Sequence, residues 1–141
     1  MRILITGVDA QGRSCVVEET SPSVPHESGR ASVIVAAETE SSPPPPRPPG
    51  HGDLLPIIRT PGLVRWSFVE FPARLATPLH HTDSVDFDVV LEGSVDLILD
   101  DGAHRLRPGD GVVVNGVDHS WETHEEACRM SVVVIATPPL E

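Results

Sequence analysis

The chain has 141 residues, room for one domain around one hydrophobic core. Its formal net charge of −11 leaves no basic stripe for nucleic acid or an anionic membrane surface. Its Lys/Arg complement is entirely arginine and it has no tyrosine, which excludes a Schiff-base lysine and a tyrosine general acid; chemistry has to rest on His, Asp, Glu, Ser, Thr, Cys or a metal. No secretory leader pattern is present and no apolar run approaches ~18 residues, so a soluble cytoplasmic protein is expected.

The first 40 residues predict a β arm. Arg2 to Glu19 reads as two β-branched runs on either side of a glycine-containing turn, a hairpin. The opening I-L-I-T-G lacks G-x-G-x-x-G, and the residues after it are strand-like where a dinucleotide fold needs a helix, so no nucleotide cofactor is expected. Ser21 to Arg30 is a loop by composition, and Ala31 to Ala37 is predicted to be a short apolar strand. Residues 41–62 form a linker whose core, Ser41 to Gly50, is S-S-P-P-P-P-R-P-P-G. Consecutive prolines lack amide donors and hold φ near the polyproline II value, so this segment is an extended spacer.

From residue 63 to the end the pattern is all-β. Strands are predicted at Val64 to Phe71, Val85 to Leu91, Ser94 to Leu99, Gly111 to Val114 and Met130 to Ile135. Pro72-Ala73, Glu92-Gly93, Asp100-Asp101-Gly102, Pro108-Gly109-Asp110 and Asn115-Gly116 mark the turns. This pattern predicts a closed or nearly closed barrel, with side chains alternating inward and outward. Cys15 and Cys128 have no C-x-x-C spacing and read as thiols without a functional role. Phe68, Phe71 and Phe87 are assigned to packing.

Two His and carboxylate clusters stand about two dozen residues apart. The first is L-H-H-T-D-S-V-D-F-D and the second is D-H-S-W, ending at Trp121. If the first is extended, His80, Thr82, Asp86, Asp88 and Val90 share one face, and His81, Asp83, Phe87 and Val89 share the other.

His80, Asp86 and a glycine at Gly93, with Pro108-Gly109-Asp110 and Gly116-Val117-Asp118-His119 further along, resemble the two motifs of the cupin superfamily. The resemblance runs from about Val64 to Ala136. It implies a cupin-type β-barrel, a double-stranded β-helix or jelly roll, and places the even-numbered set inside. His80, Asp86 and His119 are then the metal ligands the resemblance implies, suited to Fe, Zn, Mn or Ni, with His81 replacing His80 if a bulge shifts the phase. Two positions depart from the pattern: Thr82 stands where a second histidine is expected, and Asp86 replaces glutamate. Without metal, Asp86 and Asp88 are two carboxylates competing to ionise, an acid beside a base, with His119 as a third proton-handling group. Thr82, Trp66 and Trp121 are expected around the substrate.

The chain resembles small single-domain cupins that tailor polyketides and aromatics. The implied function is an enzyme that cyclises, dehydrates, isomerises or oxidises a small metabolite; the alternative is a metal-free cupin that binds or senses a small ligand. The expected partners are that small molecule and a second copy of the chain, with no nucleic acid and no membrane. The arm is expected to pair with a barrel edge, its own or that of a twofold-related subunit.

Overall fold

The computed structural model describes residues 1–23, 31–33, 35–39, 52–56 and 60–139. The proline-rich segment Ser41 to Gly50 lies outside the described residues. Among those described there are eleven strands and no helix: β1 Ile3–Val8, β2 Ser14–Thr20, β3 Asp53–Leu54, β4 Val64–Phe71, β5 His80–His81, β6 Ser84–Glu92, β7 Val95–Leu99, β8 Gly102–Leu106, β9 Gly111–Val114, β10 Ser120–Glu122 and β11 Cys128–Ala136. Among them no helix is long and apolar enough to cross a membrane.

Six strands form one sheet in the order β2-β1-β9-β6-β11-β4, three form a second in the order β10-β7-β8, and β3 pairs with β5. The larger and smaller sheets pack on a shared core: Leu4 of β1, Val112 and Val114 of β9, Val90 of β6 and Met130 of β11 meet Leu97 of β7, Leu106 of β8 and Trp121 of β10. Alternation explains this, because each strand commits one row of apolar side chains to the interior. Of the closed or nearly closed barrel expected from the strand pattern, the sheets form the open version: the hydrogen-bonded ladders among the described residues do not run round the molecule, and a cavity lies on the inner face of β4, β11 and β6.

The hairpin arm is part of this core. Its turn is held by the Asp9 carboxylate, which accepts from the amides of Gln11 and Arg13, while Gly12 takes φ of 76°. β1 pairs in parallel with β9 of its own chain, Ile3 opposite Gly111 and Ile5 opposite Val113. The Pro108-Gly109-Asp110 turn fastens the arm, since the Asp110 carboxylate accepts from the amides of Arg2 and Arg107. Asp100 and Asp101 do more than shape their turn: they accept from the amides of Ser14 and Val16 on β2.

The predicted strand from Ala31 to Ala37 is absent among its described residues, and Val33 is 86% exposed. β-branched composition alone does not make a strand where no neighbouring edge accepts its hydrogen bonds. Conversely, β8 and β10, which carry His104 and Trp121, arise in polar sequence because β7 supplies both of their partner edges. Gly93, with φ of 70°, sits where a Cβ would run into the Ala127 carbonyl oxygen, so the V-L-E-G turn requires glycine there.

Candidate functional site

The cavity has a volume of about 530 Å³, and cross-strand register arranges its floor in rows. Across β4, β11 and β6 the first row is Arg65, Val134 and Asp86, the second is Ser67, Val132 and Asp88, and the third is Val69 and Met130, with Val90 beside them in the core. Neighbouring strands are ~4.8 Å apart and successive rows ~7 Å apart, so polarity falls from charged to apolar across ~14 Å.

Two histidines cap this floor. His80 and His119 form an antiparallel bridge in which each amide donates to the other's carbonyl at 2.9 Å, and their rings lie 4.4 Å apart. A carbonyl oxygen can only accept, so Nδ1 of His80 donates to Pro78 O and Nδ1 of His119 donates to Val117 O, at 2.8 and 2.9 Å. Burial, reinforced by the neighbouring His80 charge, pushes the His119 pKa down to about 4. His119 is therefore neutral near pH 7, with its Nε2 lone pair available. Trp121 meets the edge of His119 and stacks on Phe71 at a centroid distance of 6.0 Å.

The carboxylates lie on the strand opposite. Thr82 donates to Ser84 Oγ, which donates to Asp86 Oδ1, both at 2.6 Å. Burial raises the Asp86 pKa to about 6, although the Ser84 hydrogen bond favours its charged form. Asp88 is raised well above the ordinary carboxylate range, by its own burial and then by the Asp86 charge. Its Oδ1 is buried without a hydrogen-bond partner, and the side chain lines the cavity. The two carboxyl groups are therefore set apart, Asp86 releasing its proton near pH 6 and Asp88 held above the ordinary range by burial and by the Asp86 charge.

His80, Thr82, Asp86, Asp88, His119 and Trp121 all line this one cavity. His81 points elsewhere, its Nδ1 2.8 Å from Asp118 Oδ1. Trp66 is a correction: it lies on the outer face of β4, 69% exposed, with its indole N–H on Ser131 Oγ, and Arg65 takes the inward position. Phe68 shares that outer face, 62% exposed, and does not pack in the core.

His80, Asp86 and His119, the implied metal ligands, line the cavity together without forming a ligand cluster. Among the described residues no three His, Cys, Asp or Glu side chains come together to hold an ion. Asp86 is a methylene shorter than glutamate and is drawn toward Ser84, while Thr82 at the missing histidine position is engaged with the same hydroxyl. The donor set present does not fit a resident metal ion.

Ser84, Arg65 and Asp53 were not singled out by the motifs. Ser84 shares the parity of Asp86, which was signal enough. Asp53 reaches the cavity mouth because β3 pairs in parallel with β5, a connection from within residues 41–62 that local sequence does not encode.

The facing sheets, the two motif segments and the enclosed cavity define a cupin in fold. The DMSP lyase DddQ from Ruegeria pomeroyi DSS-3 superposes with a TM-score of 0.50 at 22% identity, over 57% of this chain and 42% of that one. In sequence the chain is 41% identical over 66 residues to phomopsin biosynthesis cluster protein C' of Diaporthe leptostromiformis, covering 45% of this chain and 35% of the relative. It is 39% identical over 54 residues to the cupin-domain-containing oxidoreductase fogC of Aspergillus ruber, covering 38% of this chain and 27% of the relative. The match thus spans about a third of the length of these curated relatives. No family model matches the chain.

Proposed function

We propose that this protein is a small-molecule-processing cupin of secondary metabolism that works by proton transfer, in the manner of a cyclase, dehydratase or isomerase. The observation that carries the proposal is the buried Asp88, its Oδ1 unpartnered in the cavity, beside Asp86, burial raising both carboxyl groups above the ordinary range. The name of the phomopsin biosynthesis cluster protein supports the metabolic setting. All three reaction types need one proton delivered and another removed. Asp88 supplies a proton to a substrate carbonyl or departing hydroxyl, Asp86 removes one from the adjacent carbon, and neutral His119 accepts a hydrogen bond through Nε2 and orients the substrate.

The test is the pH profile of kcat/KM on a substrate found by incubating the protein with metabolite extract and following consumed species by mass spectrometry. The rate is expected to rise through about pH 6 as Asp86 ionises and to fall at higher pH as Asp88 loses its proton. A flat profile from pH 5 to pH 9 would sink the proton-transfer reading. The second reading, a cupin that binds a ligand without turning it over, is favoured by Thr82 being tied to Ser84 where the cupin motif has a histidine. It predicts saturable binding with no product.

We further infer a homodimer in which a second copy covers the outer face of β4. This strand is the sheet edge, and Val64, Trp66 and Phe68 stand exposed on it, with the Trp66 and Phe68 rings 5.6 Å apart. Sedimentation should give a dimeric mass for the parent and a monomeric mass for Trp66→Glu. A monomeric parent would end the idea.

A further inference from the structure

Among the described residues, five of the seven arginines are paired with carboxylates. Arg2 pairs with Glu19, Arg13 with Asp9, Arg74 with Glu125, Arg105 with Asp96, and Arg129 with Glu70. Arg65 has neither an ion pair nor a hydrogen bond among the described residues, and it is the guanidinium that lines the cavity. It sits at the charged end of the floor, two strands from Asp86 across Val134, a Cα separation of ~10 Å. Beyond it the floor becomes Ser67 and Asp88, and then apolar at Met130, with the Trp121 ring adjoining.

We propose that this cavity selects a ligand with one carboxylate, held by Arg65 at the mouth, and an apolar, flat body that runs inward past Asp88 to Met130 and Trp121. A guanidinium presents two parallel N–H donors that match a carboxylate, which makes Arg65 an orienting group as well as a charge. Asp88 stands one row further in and two strands across from Arg65, a Cα separation of ~12 Å, so a ligand whose carboxylate is fixed there spans the floor to the unpartnered Asp88 oxygen. A hydroxyl or carbonyl at that distance from the acid group is what Asp88 addresses. Arg65 is thus a specificity-determining residue. The assignment rests on the proposed function of the cavity, but not on the reaction being proton transfer.

The experiment uses two probes of nearly equal shape, 2-naphthoate and 2-naphthamide, titrated calorimetrically into the full chain. The parent is expected to bind the carboxylate about fivefold more tightly than the amide. Arg65→Gln should reduce that preference to within about twofold while amide affinity stays unchanged, and Arg65→Lys should keep part of it. Because Arg65 is exposed on an edge strand, the variants are expected to fold, and circular dichroism checks this. If both probes bind the parent equally, or the preference survives in Arg65→Gln, the assignment of Arg65 is overturned while the small-molecule cavity stands. If neither probe binds, both are overturned.

Discussion

Replacing Asp88 with asparagine is expected to lower turnover by about 10²- to 10⁴-fold while leaving the protein folded and, above neutral pH, more stable than the parent. Asparagine matches the shape of a protonated carboxyl group but has no transferable acid proton. The stability change comes from the direction of the Asp88 shift. Its folded pKa lies well above the unfolded value near 3.9, so the contribution it makes is fully present below that value and is lost as pH rises through the folded pKa. The substituted amide does not ionise, so the Asp88→Asn variant escapes this loss. Parent and variant should converge near pH 4 and separate by several degrees in Tm at pH 8.5.

Asp86 and His119 are present in both proteins, and of the two Asp86 is the one whose titration is tied to that of Asp88. Asp86 acts in the same sense as Asp88, losing stability as pH rises through about 6. His119 acts in the opposite sense: its folded pKa of about 4 is depressed, so its contribution is present above about 6.5 and lost as pH falls through about 4. A ¹³C titration of the aspartate carboxyl carbons reads the same groups with no substrate. An Asp88 carboxyl titrating near 4, or equal Tm values at pH 8.5, would remove the acid from the mechanism.

Much of this site was legible because one strand has an unambiguous inside. From His80 to Val90 the even positions carry the motif polar groups and alternate with Phe87 and Val89, so parity places Asp86 and Asp88 together. β4 offers no such anchor. Its V-R-W-S-F-V-E-F puts Val64, Trp66 and Phe68 on one face and Val69 and Phe71 on the other, and the more apolar face turns outward. Hydrophobic alternation therefore points Trp66 the wrong way and hides Arg65. The side-chain hydrogen bonds of the implied ligand set were hidden for a related reason. Motif order brings His80 and His119 together, but the engagement of Asp86 and Thr82 with Ser84 depends on side-chain hydrogen bonds that spacing does not encode.

Leu4→Ala is expected to destabilise the protein by about 3 to 5 kcal/mol, lowering Tm by about 10 °C or more. The β-hairpin composition of the arm suggests too little apolar surface to fold alone, which would make it a detachable strap. Leu4 argues otherwise: it is 0% exposed and packs in the same cluster as Leu97, Leu106 and Val112. Truncation there leaves a cavity between the two sheets, with little freedom to collapse because β1 is tied on both sides. Thr6 donates its hydroxyl to Val113 O at 3.0 Å and accepts from the Asn115 amide at 3.1 Å, while Asn115 donates its side-chain amide to Thr6 O at 2.9 Å. The control is Val17→Ala on β2, where the side chain is 56% exposed and the change should stay within about 0.5 kcal/mol. Urea unfolding of both variants separates the two views of the arm. A Leu4→Ala cost as small as that of Val17→Ala would mean that the arm leaves the core without opening it, whereas a full-sized loss in one cooperative transition makes the arm a structural strand of the cupin fold, on which the placement of β9 and the floor beside Asp86 depends.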